Sequence, residues 1–249
     1  MLTNTPLERL RAGKPTFGLA MASSDPLIAE IMGRSGADWI WVDEQHGSWD
    51  RAAMYRAIQI IQLAGCAAIV RPGSNEFFRI GRALDAGAMG VIVPMVNTPE
   101  QAAEAVHAAK YPPRGGRSSG GVRLRFMGDD YKHAANDNTL VSVMIETVEA
   151  VEAVPEIAAV EGVDALFIGP GDLSVSMGVE PGCDAHEEML LRILHESNAQ
   201  GTAAGIACGT PEDAKMRADQ GFQLVHGGSE SGMIFAGIEH MKKTVGLTD

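Results

Sequence analysis

Short apolar runs alternate along this chain with longer stretches in which apolar residues return every third or fourth position. The runs cover residues 16–22, 39–43, 67–71, 90–96, 140–146, 165–168, 202–207 and 222–226. They are apolar at successive positions rather than at alternate ones, the pattern of parallel strands covered on both faces. The stretches between them carry helix punctuation. Ser24-Asp25-Pro26 precedes Leu27, Ile28, Ile31 and Met32, and Gly36 follows: a cap, a first-turn proline, an apolar stripe and a stop. Ser48 precedes Met54, Ile58 and Ile61, with Gly65 as the stop. Thr98-Pro99-Glu100-Gln101 reads as a capping box, and Thr210-Pro211-Glu212-Asp213 repeats that start. Pro155 divides the stretch after residue 146 into two short helical pieces.

About eight such βα units in succession predict an α/β fold, a closed (β/α)8 barrel of the TIM type, with an open doubly wound sheet as the alternative. The chain has 249 residues, the length one such barrel needs, and no linker or shift in composition divides it. A single domain over residues 1–249 is therefore expected. One segment breaks the rhythm. Residues 111–138, opening YPPRGGRSSGGVRLR, are too many for an ordinary helix-to-strand connection. Their glycines and serines suit a flexible surface excursion. Their arginines, Arg114, Arg117, Arg123 and Arg125, suit a loop that meets an anion by closing over a site or packing on a neighbouring subunit.

Composition narrows the partners. A formal net charge of -12 argues against a general nucleic-acid or acidic-membrane surface. Hydrophobic residues make up 45%, enough for a sizeable core. The three cysteines, Cys66, Cys183 and Cys208, include no CxxC pair, so neither a disulfide framework nor a zinc ribbon is expected. Cys66 and Cys208 read as small buried thiols. The N-terminal residues MLTNTPLERLRAGK lack an apolar signal core, and no run approaches a membrane span, so a cytoplasmic location is expected.

In such a barrel, functional groups gather at the C-terminal ends of the strands. The second run ends Val42-Asp43-Glu44-Gln45-His46-Gly47, the third Val70-Arg71-Pro72, the fifth Ile145-Glu146-Thr147 and the sixth Ile168-Gly169-Pro170-Gly171-Asp172. Charges of both signs thus surround one mouth. Glu146 and Asp172 are the candidate metal ligands. Two carboxylates offer hard oxygens, which select Mg2+, Mn2+ or a similar ion over zinc, and leave positions for the carboxylate and keto oxygens of a 2-keto acid. Salt bridges to arginine are the other use of such a pair. The Gly169-Pro170-Gly171-Asp172 turn lets backbone N–H groups approach a substrate carboxylate, although these residues also make an ordinary turn.

Arg71 is the candidate for the keto oxygen, where negative charge gathers during reaction. His46 is the candidate general acid/base, acting through a bound water, with Asp43 orienting its ring. A purely structural hydrogen bond between Asp43 and His46 is the alternative. None of the lysines (Lys14, Lys110, Lys132, Lys215, Lys242, Lys243) ends a predicted strand, which disfavours a Schiff-base route. Gly227-Gly228-Ser229 follows the last run, where barrels often bind phosphate or a substrate tail. Ser229 and Glu230 either touch an aldehyde partner or cap the last helix. Dinucleotide, P-loop and H-E-x-x-H motifs are absent from the sequence.

These residues resemble the HpcH/HpaI aldolase family, the class II pyruvate aldolases. The resemblance rests on DWIWVDEQHG (38–47), IVRPGSNE (69–76), VPMVNTPEQA (93–102), KYPPRGGRS (110–118), MIETVEAV (144–151) and EGVDALFIGPGDLSVSMG (161–178). It implies a phosphoenolpyruvate/pyruvate-binding type of barrel, assembled as a hexamer of three dimers with the last helix exchanged between partners. It also implies that Glu146 and Asp172 hold a divalent metal, Mg2+ or Mn2+ with Co2+ as a further candidate. Arg71 would take the keto oxygen, His46 with Asp43 the acid/base role, and Gly171 and Asp172 the pyruvate carboxylate through backbone N–H groups. The implied reaction joins or cleaves pyruvate or hydroxypyruvate and an aldehyde through an enolate. Trp49, Arg117 and Ser229 are the candidates for the aldehyde side or a lid.

The chain departs from the family at Asp43-Glu44-Gln45-His46-Gly47, where many relatives read D-G-E-H. It departs again at Met144, where many carry Gln, and at Trp49, where a small or polar residue is usual. A lyase of a CoA thioester, a metal-dependent hydrolase on the same barrel and a non-catalytic binding protein are the rival readings.

Overall fold

The computed structural model describes residues 3–247, so residues 1–2 and 248–249 of the expected domain span lie outside the described residues. Eight strands, β1 (Thr16–Met21), β2 (Trp39–Asp43), β3 (Ala67–Arg71), β4 (Gly90–Val93), β5 (Leu140–Ile145), β6 (Ala165–Ile168), β7 (Ala203–Ala207) and β8 (Leu224–Ser229), close into a barrel in chain order. All pairings are parallel, and β8 closes the ring on β1. The helices are α1 (Thr5–Arg11), α2 (Pro26–Gly33), α3 (Arg51–Leu63), α4 (Phe77–Asp85), α5 (Pro99–Ala109) and α6 (Tyr131–Asn138), then α7 (Val148–Glu152), α8 (Val154–Ala158), α9 (Pro170–Met177), α10 (Asp184–Ala199), α11 (Pro211–Gln220) and α12 (Glu230–Val245).

The successive apolar positions of each strand divide between two cores. Trp39, Trp41, Ile69, Leu140, Phe167 and Leu224 fill the barrel's interior. Their neighbours, such as Ile40, Val42, Val143 and Ile168, face outward onto the helices. Caps start the helices where the sequence places them. Asp25 accepts from the N–H groups of Leu27 and Ile28, Thr98 from Gln101 and Thr210 from Asp213. Each such cap is worth about 1 kcal/mol. The start of α3 is different: Asp50, not Ser48, is its cap and accepts from Ala53.

Two strands also differ from the pattern by more than one residue. β4 stops at Val93 rather than continuing to Val96, because Pro94 follows and Met95 takes a left-handed backbone (φ 55°). β8 runs two to three residues later than expected. Its pairing with β1 shifts register between Gly18 and Ala20, and Gly228 (φ 131°) supplies a conformation that other residues rarely adopt.

The 111–138 segment corrects an expectation. It joins the end of α5 to the start of β5, so it lies at the barrel's N-terminal end, opposite the mouth, and is no lid for its own barrel. Nor is it a loose excursion. Tyr111, Leu124, Met127, Tyr131 and Ala135 form a small core of their own. Arg114 pairs with Asp137 and Arg123 with Gln62. Arg117, 3% exposed, bonds Asp85 and the Tyr131 hydroxyl and stacks on the Tyr111 ring. Its guanidinium holds this end closed and reaches no aldehyde in the same barrel.

Candidate active site

Strand register brings the charged residues together. Asp43 and Arg71 are direct neighbours across β2 and β3. The Asp43 carboxylate accepts from Arg71 Nε at 2.7 Å and Nη2 at 2.6 Å, both residues being 7% exposed. Asp43 Oδ1 also accepts from the backbone N–H groups of Gln45 and His46, at 3.2 and 3.3 Å, which folds residues 43–47 into a tight turn. Gly47 is required there, since a Cβ would strike the Asp43 carbonyl and the Trp49 ring.

The expected role of Asp43 is thereby revised. It bonds the His46 backbone, not the imidazole, and its carboxylate is committed to Arg71. A bidentate arginine–carboxylate contact is the stronger and geometrically better-matched pairing. Arg71 is further fixed by the Trp41 ring, 4.6 Å from its guanidinium carbon, and by Met144 Sδ, 3.9 Å from Nη1. Arginine has five N–H donors, so this cradle still leaves donors on Nη1 and Nη2 for an oxygen in the mouth.

Glu146 follows β5 and is 1% exposed. Its Oε1 accepts from the Met95 N–H at 2.7 Å, while its Oε2 is buried without a hydrogen-bond partner. Met95, the donor, is also the residue with the left-handed backbone. Burial pushes the Glu146 carboxyl above its usual range. The Met95 N–H opposes the shift, the charge of Asp172 adds to it, and Arg71 and His46 oppose it. All four groups are therefore within electrostatic reach of Glu146. Gly169 leaves room beside the orphaned oxygen, since a Cβ there would stand 2.8 Å from Oε2.

Asp172 lies in the first turn of α9, exposed to the mouth. That helix begins at Gly169 and Pro170 with no side-chain cap, so the first-turn N–H groups of Gly171 and Asp172 are open to an anion. No cluster of three or more His, Cys, Asp or Glu side chains suited to a metal occurs among the described residues, so a cation here would rest on the Glu146–Asp172 pair. The pair fits a hard divalent ion. It offers oxygen donors only, and Glu146 Oε2 is a buried oxygen that lacks a partner.

The remaining candidates divide. His46 is exposed at the rim. Trp49 is half-buried against Gly47. Ser229 caps α12, its hydroxyl accepting from Gly232 at 3.1 Å. Glu230 ties the last helix to the end of β1 by accepting from the N–H groups of Ala22 and Ser23. One group escaped the sequence reading. His226, on β8, is 9% exposed and stacks edge-on against Trp41 at 5.3 Å. Neither ring nitrogen has a well-aligned partner, and burial pushes its pKa down to about 4, so the ring is neutral.

The profile of a family described as HpcH/HpaI aldolase/citrate lyase matches residues 16–236. The chain belongs to the HpcH/HpaI aldolase/citrate lyase family. A hydroxypyruvate/pyruvate aldolase of Deinococcus radiodurans is 39% identical over 82% of the chain and 76% of its own length. A 4-hydroxy-2-oxo-heptane-1,7-dioate aldolase of Klebsiella pneumoniae is 34% identical over 96% of the chain and 92% of its own length. A crystal structure of an HpcH/HpaI aldolase/citrate lyase family protein from Burkholderia cenocepacia superposes with a TM-score of 0.92 at 30% identity, covering 98% of this chain and 99% of that one. As a member of the HpcH/HpaI family with aldolases as relatives along most of its length, the chain is a carbon–carbon lyase of the aldolase type.

Proposed function

We propose that this chain is a divalent-metal-dependent aldolase, one domain that cleaves or forms the bond between a 2-keto acid, pyruvate or hydroxypyruvate, and an aldehyde. The observation that carries this reading is the buried, unpartnered oxygen of Glu146, with Asp172 and Arg71 both within electrostatic reach of that carboxyl group. Glu146 and Asp172 would hold the ion, with Mg2+ or Mn2+ favoured and Co2+ a further candidate. When bound, such an ion lowers the cost of negative charge on the keto oxygen.

The chain's own residues do the rest. The N–H groups of Gly171 and Asp172 hold the substrate carboxylate beside Gly169 and Pro170. Arg71, fixed by Asp43, Trp41 and Met144, directs its free N–H donors at the keto oxygen, where enolate charge develops. His46, at the rim, moves the proton through a water, and Trp49 and Ser229 border the aldehyde.

The assembly is proposed as a hexamer of three dimers in the cytoplasm. α12 supports it: apart from its buried first residue, Glu230, the helix exposes Met233, Ile234, Phe235, Ile238, Met241 and Val245, an apolar face suited to a second copy. No helix among the described residues is long and apolar enough to cross a membrane.

The test is aldol addition of pyruvate and of hydroxypyruvate to a panel of aldehydes, followed by NMR with Mg2+, Mn2+ or Co2+. Product formation that requires the ion is expected. No product with any donor under any ion would reject the reading.

A further inference from the structure

We propose that His186 is a positioning residue that aims the Gly171 N–H at the substrate carboxylate; this rests on the carboxylate site proposed above. His186 stands on α10, 2% exposed, behind the Gly169–Asp172 turn. Its Nδ1 lies 3.0 Å from the Gly182 N–H nitrogen, and its Nε2 lies 3.0 Å from the Pro170 carbonyl oxygen. An N–H group only donates and a carbonyl only accepts. One tautomer of a neutral imidazole satisfies both, with the proton on Nε2. His186 therefore donates to the Pro170 carbonyl.

That carbonyl belongs to the same peptide unit as the Gly171 N–H. The unit is planar, and in a trans peptide its C=O and N–H point in opposite directions. Holding the oxygen on the α10 side thus directs the hydrogen away from α10, toward the mouth. Packing does little of this. A Cβ built on Gly171 would meet nothing within 4 Å, and a cavity of about 630 Å3 lined by Pro170, Gly171, Cys208 and Arg217 lies behind the turn. A flexible glycine beside open space keeps one orientation through the helix's own hydrogen bonds and this side-chain contact.

The test uses the full-length protein with Mn2+, measuring pyruvate binding by calorimetry together with KM and kcat for aldol addition. His186→Gln keeps an N–H donor at about the reach of Nε2, while His186→Asn keeps an acceptor near Nδ1 for Gly182 but loses the donor. Asn and Ala variants are expected to raise the pyruvate KM and Kd about tenfold, with kcat changed less than about threefold. His186→Gln is expected to restore both constants to within about threefold of wild type. Mn2+ affinity without pyruvate stays unchanged in all three.

The Gln–Asn comparison decides the matter if His186→Ala fails to fold. Equal pyruvate affinity in Gln and Asn variants, or wild-type affinity in His186→Ala, would overturn the role of His186 while leaving the carboxylate site intact. A wild type that binds no pyruvate would overturn the carboxylate site, and this proposal with it.

Discussion

The two ends of this barrel treat buried charge differently. At the N-terminal end, Lys110 is 1% exposed and gives its ammonium to the carbonyls of Asn136 and Thr139, at 2.8 and 2.7 Å. Nearby Asp164 accepts from Val141, and Arg117 is paired with Asp85. At the mouth, Asp43 fully occupies one face of Arg71 yet leaves other donors free, Glu146 keeps one oxygen bare, and His226 keeps a neutral ring without a well-aligned partner. Burying polar groups without partners costs free energy. The closed end has bare atoms too, Arg117 Nε, Arg123 Nε and the Tyr111 hydroxyl, but both guanidiniums there are held through other nitrogens. The difference lies in the carboxylates: Asp85 and Asp164 are partnered, whereas Glu146 keeps a buried oxygen with no partner where the strand ends gather.

The comparison breaks first if the bare carboxylate is dispensable. Glu146→Gln should lower aldol turnover at least about a thousandfold and raise the unfolding midpoint in metal-free buffer, because an unpaired buried charge is removed. Asp85→Asn at the other end, which takes the carboxylate from the buried Arg117 guanidinium, should do the reverse, leaving turnover per folded molecule intact and lowering the midpoint.

Acid sharpens the same contrast. The His226 pKa falls from 6.5 to about 4 in the fold, so between those values the unfolded chain binds the extra proton. Stability should therefore rise with pH across this window, by up to about 3 kcal/mol. Denaturation at a series of pH values, with His226→Asn as the control lacking this slope, measures it. Glu146 works in the opposite sense: its pKa is raised in the fold, so its contribution is present below the unfolded value and lost as pH rises through the folded one. Metal affinity should accordingly weaken in acid at a higher pH than for an ordinary carboxylate pair.

Two smaller effects complete the series. Arg117→Ala should cost about 2 kcal/mol of stability, read by urea denaturation, while kcat per folded molecule holds. Met95→Gly relieves a left-handed backbone but loosens the loop that serves Glu146, so stability should change by less than about 1 kcal/mol while ion affinity falls.

Much of this was legible from the chain. Apolar runs ending on Asp43, Arg71 and Glu146, and the glycine turn before Asp172, marked one mouth because a barrel gathers its strand ends. The Asp43–Arg71 pairing was not read, although it follows from adjacent strands that end in register. Sequence proximity suggested His46 instead, and cross-strand distance overruled it. The place of residues 111–138 was also deducible, since any helix-to-strand connection lies at the barrel's lower end. His226 closed an apolar run and carried no signal that it faced inward against Trp41. Nothing in the local sequence announced the positive φ of Met95 beyond the proline before it. His186 sits on a helix face that periodicity marks only as buried.

The most direct measurement of the central claim is solvent-deuterium exchange into the methyl group of pyruvate, followed by NMR. If Glu146 and Asp172 hold a cation that, with Arg71, supports enolate charge, exchange should stop on chelation and return with Mn2+. It should also be absent from Glu146→Gln and fall at least about a hundredfold in Arg71→Ala. Exchange at the wild-type rate in metal-stripped protein, or in Glu146→Gln, would contradict the account.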